Sequence, residues 1–127
     1  MKMKKKEPDQ NLLSGLLSLT AQSRHEIMKE IWFHPVCGTH SGVNVYHDLI
    51  TRHRSVTNRR MYEFLTSEEM LMKYPAIRKV IGMDISELKS CVIIMLMLGI
   101  HARETADISL TSTGYIRFVI EEYPDLL

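Results

Sequence analysis

The chain has 127 residues, 45% of them hydrophobic, and a formal net charge of +1. That length fits one domain of ~100–150 residues with a core of its own. The near-neutral balance excludes a strongly basic nucleic-acid coat protein but leaves room for a local basic patch. The two cysteines, Cys37 and Cys91, make no disulfide framework and point to a reduced, cytoplasmic protein.

Residues 1–10 hold Lys2, Lys4, Lys5 and Lys6 and read as a flexible basic tail, with 11–127 as a single helical domain. Glu7-Pro8-Asp9-Gln10-Asn11 separates those lysines from the apolar stretch 12–19, so a cleaved signal peptide is not expected. Leu12, Leu13, Leu16, Leu17 and Leu19 lie close to helical spacing. Ser23-Arg24-His25-Glu26 has the form of a capping box and predicts a fresh helix start. That helix would carry Ile27, Met28, Ile31 and Trp32 on one face, and Pro35 limits its run. Residues 34–42 read as a loop.

A third helix is predicted from residue 43 or 45 to 50, although Val43-Asn44-Val45 would also suit a short strand. A fourth begins near Thr57 and buries Met61, Phe64 and Leu65. Thr66-Ser67-Glu68-Glu69 caps a short helix that Pro75 interrupts, and 76–81 forms at least one more turn before Gly82. A long helix covers 85–98 and stops at Gly99, a natural left-handed position. Two short helical segments follow and end before Pro124. The fold class is all-α, a small helical bundle. The apolar run 91–100 is about half the length of a membrane span and reads as a buried helix, so no membrane partner is expected.

Within the C-terminal third, Glu87-Leu88, then Gly99-Ile100-His101-Ala102-Arg103-Glu104-Thr105-Ala106, then Ser112 and Ile116-Arg117 stand in a recognisable order. This stretch resembles the helix-turn-helix of LuxR-type regulators, itself similar in form to the DNA-reading region of sigma factors. The resemblance implies a DNA-binding transcriptional regulator whose partner is double-stranded DNA. It also implies a homodimer, because such proteins commonly pair on two half-sites. Ala106 would be the small residue where two helices cross, and Ile116 and Val119 the inward face of the second helix. Thr113, Tyr115 and Arg117 would be the exposed readers, Arg117 being suited to a guanine edge or a phosphate.

A second basic segment lies upstream. Twelve basic and eight acidic residues stand in 1–78, against four and seven in 79–127. Residues 46–50, 51–56 and 57–62 read there as helix, turn and helix, with Arg52, Arg54, Arg59 and Arg60 close together. Asn58 and Arg59 suit adenine and guanine edges, while Arg54, Arg60 and the lysine tail suit phosphates. A solvated polar helix face would show the same composition.

His34-Pro35-Val36-Cys37-Gly38-Thr39-His40, with His47 beyond it, is the one cluster with ligand-like chemistry. Imidazole and thiolate groups suit zinc, so His34, Cys37, His40 and His47 are the candidate metal ligands. No other cofactor is expected. Cys37 with His40 or His47 would also form a nucleophile pair, but no oxyanion or helix-start motif surrounds it. No phosphate-binding glycine loop is present, and an enzyme is not expected. The alternative function is a non-enzymatic adaptor or chaperone that captures a protein partner through the Met-rich helix. Its stripe Ile93, Ile94, Leu96, Met97 and Ile100 reads either as a dimer face or as a helix buried all round.

Overall fold

The computed structural model of the chain describes residues 10–37 and 42–127. Among them are seven helices and no strand: α1 (Gln10–Phe33), α2 (Gly42–Leu65), α3 (Glu68–Lys73), α4 (Ile77–Ile81), α5 (Glu87–Met97), α6 (Ala102–Ser109) and α7 (Thr113–Glu122). The fold is the expected all-α bundle. The tail expected over 1–10 lies outside the described residues except for Gln10, which opens α1.

Two expected breaks are not formed. Ser23 does not start a helix; it lies buried inside α1, which runs unbroken for 24 residues. Thr57 likewise lies inside α2, also 24 residues long, and its hydroxyl donates to the His53 carbonyl one turn back at 2.8 Å. A short polar side chain that bonds its own helix in this way can stay in a helix interior. Residues 51–56 are therefore helical, and the upstream helix-turn-helix does not exist. The strand reading of 43–45 falls for the same reason.

α1 and α2 form a long antiparallel hairpin, each helix about 36 Å long at 1.5 Å per residue. The remaining helices wrap its base. Ser67 caps α3 by accepting from the Met70 amide, and Ser86 caps α5 by accepting from the Lys89 amide. Gly82 ends α4, and Gly99 adopts φ 90° after α5, the left-handed stop expected there.

α5 is the central element. Cys91, Val92, Ile93, Ile94 and Met95 are five consecutive residues, all fully buried. Five in a row cover every side of a helix, so α5 is enclosed rather than amphipathic. α2, α4, α6 and α7 pack around it. The Met-rich stripe is thus core, not a docking face: Ile93 and Ile94 are inaccessible, Ile100 is buried, and Leu96 and Met97 are half-covered. No helix among the described residues is long and apolar enough to cross a membrane.

Candidate nucleic-acid interface

α6 and α7 are joined by three residues, Leu110, Thr111 and Ser112. Leu110 turns the chain by adopting φ 58°, a left-handed conformation usually left to glycine. Its amide and that of Thr111 donate back to the last carbonyls of α6, Thr111 to Ala106 at 2.9 Å. Ser112 then accepts from the Tyr115 amide at 3.1 Å and caps α7. The helix ends are satisfied on both sides of a tight turn.

Ala106 is buried on α6, and Ile116 and Val119 are fully buried on α7. Thr105 and Ser109 are also fully buried, each hydroxyl spent on a backbone carbonyl: Thr105 on Ile100 at 3.4 Å, Ser109 on Thr105 at 2.7 Å. Helix α1 braces the C-terminal end of α6. The Thr20 hydroxyl donates to the Ile108 carbonyl at 3.3 Å, and the Arg24 guanidinium donates to the Asp107 carbonyl at 3.2 Å. A guanidinium at a helix C-terminus meets both its free carbonyls and its negative dipole end. Sequence reasoning missed this brace, although the i, i+4 spacing of Thr20 and Arg24 was there to be read.

On the outer face of α7, Thr113 and Arg117 are exposed, one turn apart, and Gly114 between them adds no bulk. The first turn carries no acidic residue. Tyr115 is half-buried against the core, and burial raises its phenol pKa, so only part of its ring faces out. Farther along, Glu122 is bound to Lys89 of α5 at 3.0 Å, which lowers the carboxyl's pKa and raises that of the ammonium. Lys89 also lies 5.8 Å from the Tyr123 ring centroid and 6.0 Å from that of Phe118. The acidic end of α7 is therefore partly neutralised by the bundle itself.

The upstream basic residues are arranged differently. Arg52 and His53 both bind Glu30 of α1. Arg59 binds Glu63 on its own helix at 3.1 Å and also Glu87 of α5. Arg60 lies 3.7 Å from Glu26. Asn58 is turned inward, its Oδ1 buried and without a hydrogen-bond partner. Among the described residues, Arg54 alone of these four arginines has no carboxylate partner. Three of these arginines, Arg52, Arg59 and Arg60, are thus engaged in interhelical ion pairs.

Of the four candidate metal ligands, His40 lies outside the described residues. His34 accepts through Nδ1 from the Val36 amide at 3.2 Å, Cys37 is half-buried, and His47 is exposed with its ring edge-on to Tyr46. No group of three His, Cys, Asp or Glu side chains placed to hold a metal occurs among the described residues. Compared with known proteins, the chain matches no family model, no curated protein and no solved structure.

Proposed function

We propose that the protein is a DNA-binding transcriptional regulator of the helix-turn-helix type that reads the major groove with the start of α7. One observation carries this reading. An eight-residue helix, a three-residue turn and a ten-residue helix lock together through Ala106, Ile116 and Val119, leaving Thr113 and Arg117 outward at the head of the second helix. That is the arrangement by which a recognition helix presents its N-terminal residues to base edges. In this reading the working unit is a homodimer on two half-sites.

Arg117 makes the base or phosphate contact and Thr113 a second polar contact in the same groove. Arg52, Arg59 and Arg60 belong to the framework, since binding DNA would require them to give up carboxylates they already hold. The adaptor reading is less favoured, because Met95 is fully buried and Met97 is half-covered.

The test is fluorescence anisotropy of the protein against labelled duplexes of mixed sequence at low and moderate salt. Affinity is expected to fall steeply with salt. Arg117→Ala is expected to weaken binding about tenfold to a hundredfold, equivalent to ~1–3 kcal/mol for one good contact. A folded protein that binds no duplex at low salt would sink the reading.

A further inference from the structure

The α1–α2 hairpin is longer than the bundle that covers it. At its base, Leu12, Leu16, Thr20 and Ser23 of α1 and Thr57, Met61 and Leu65 of α2 are buried. The same stripes continue outward at helical spacing, as Ile27 and Ile31 on α1 and as Ile50, Tyr46 and Val43 on α2. Beyond Leu110, at the edge of the bundle, none of the described residues lies over them. The result is an apolar groove of about 320 Å³ with Arg24 and Arg54 standing beside it.

This surface is large. Trp32 is 82% exposed, Met28 63%, Val43 58% and Tyr46 44%. With Ile27, Ile31 and Ile50 between them, the stripe leaves roughly 600 Å² open, taking ~150–250 Å² for a whole aromatic side chain. The largest apolar patch of an ordinary monomer reaches ~300–600 Å², and a stable interface buries ~800 Å² on each side. The stripe alone supplies most of one such side, and its polar rim would supply the rest.

We infer that the distal half of the α1–α2 hairpin is a homodimer interface, occupied by the same stripe of a second copy to form a four-helix bundle. Two helices side by side present half of such a bundle, and a second copy brings the matching half with the same length and the same residues. The charges set the overlap. Arg24 and Arg54 both flank the groove near Leu110, so copies that overlapped at this end would bring like charges together. The contact therefore centres on Met28, Val43 and Tyr46, with Trp32 at its edge. This places the pairing surface of the proposed regulator, and because its test uses no DNA, the failure of one inference is distinguishable from that of the other.

Trp32 is the only tryptophan in the chain, so it reports on this surface without labelling. The experiment measures molar mass by light scattering and tryptophan emission on the full chain across a dilution series. The expected result is a two-chain mass with blue-shifted emission at high concentration, both reverting on dilution. Met28→Glu and Val43→Glu replace side chains that face solvent in the monomer, so each is expected to keep the helical circular dichroism. Both should yield a one-chain mass and the emission of a solvated indole throughout. A one-chain mass for the unaltered protein at every concentration would overturn the inference. So would a two-chain mass that neither substitution changes, or an emission shift that appears only when an acidic amphipathic peptide is added.

Discussion

The guanidinium of Arg59, midway along the C-terminal half of α2, is held by the Glu87 carboxylate in the first turn of α5. Glu87 thereby serves two purposes, since an acidic side chain at a helix start also complements the dipole of α5. The same guanidinium donates to Glu63 one turn along α2, and the two carboxylates together raise the arginine's pKa, Glu87 contributing most. A side chain bound on two sides by its own protein is poorly placed to serve a polyanion.

Arg59→Ala is therefore expected to leave DNA affinity and its salt dependence unchanged while slightly lowering the melting temperature. The contrast with a phosphate contact is quantitative. Losing one such contact would flatten the slope of log affinity against log salt by about 0.9. Measuring that slope for Arg59→Ala and Arg117→Ala side by side separates framework from interface. A flattened slope for Arg59→Ala would return the upstream cluster to the binding surface.

Two glycines predict opposite behaviour on conversion to alanine. At Gly42, which opens α2, an added Cβ would lie 2.4 Å from the Val36 carbonyl oxygen and 2.9 Å from the Cys37 Cα. Both are backbone atoms and have no rotamer with which to move aside, so Gly42→Ala is expected to cost about 1–3 kcal/mol through overpacking. At Gly15, inside α1, the near atom is Cζ of Phe64 at 2.9 Å, the far end of a side chain that can shift. There the gain of about 1 kcal/mol from alanine's helix propensity offsets the contact, and Gly15→Ala should be close to neutral. Urea denaturation of both variants checks the pair, and equal losses would contradict the distinction.

The contrast between the two halves of the chain explains what could be read in the sequence. α3, α5 and α7 carry short local signals: Ser67 ahead of Glu68-Glu69, Gly99 after an apolar run, Ser112 ahead of a turn of α7. Each works within a few residues, so each is visible without knowing the fold. Ser23 and Thr57 carry similar signals but are overruled. Their small side chains are needed where helices pack closely, and Thr57 satisfies its hydroxyl within its own helix. The apolar spacing of Ile27, Met28, Ile31 and Trp32 was legible as a face, but not whether any part of the chain would cover it. The basic cluster was legible as charge only. Its partners Glu26, Glu30 and Glu87 lie more than twenty positions away and become neighbours through the antiparallel pairing of α1 with α2 and the packing of α5 on α2.

The two cysteines should differ sharply in reactivity. Cys91 is fully buried in α5, where desolvation, helped by the charge of Glu87, pushes its thiol up to about 12. Its Sγ lies 3.7 Å from the Asn58 carbonyl, within the range of a weak S–H donor. Since the thiolate is the reactive form, Cys91 should be inert in the native protein. Cys37 is half-buried in the segment after α1 and should react. A disulfide-exchange reagent at mildly alkaline pH is expected to titrate one thiol per chain natively and the second only in denaturant. Cys37→Ser should remove the native reaction. Rapid labelling of Cys91 in the folded protein would show that α5 opens far more readily than a central helix should.

The hairpin itself should be acid-sensitive through Glu30. Its carboxyl is held below its ordinary value of 4.5, chiefly by the hydrogen bond from His53 and then by Arg52, against the opposing effect of desolvation. A carboxyl whose folded pKa is depressed binds fewer protons in the native state than in the unfolded one. Its contribution is therefore complete above the ordinary carboxylate value and is lost as pH falls through the lower, folded value. Thermal unfolding followed from neutral pH into this acid range should show a loss that Glu30→Gln reduces, because glutamine has no proton to gain. The variant should start less stable at neutral pH and converge on the unaltered protein in acid. Glu122→Gln makes the matching comparison at the α5–α7 contact, where Lys89 depresses the carboxyl in the same sense. Parallel curves for Glu30→Gln and the unaltered protein, with a constant gap at every pH, would mean that the bonds from Arg52 and His53 do not depend on the charge of Glu30.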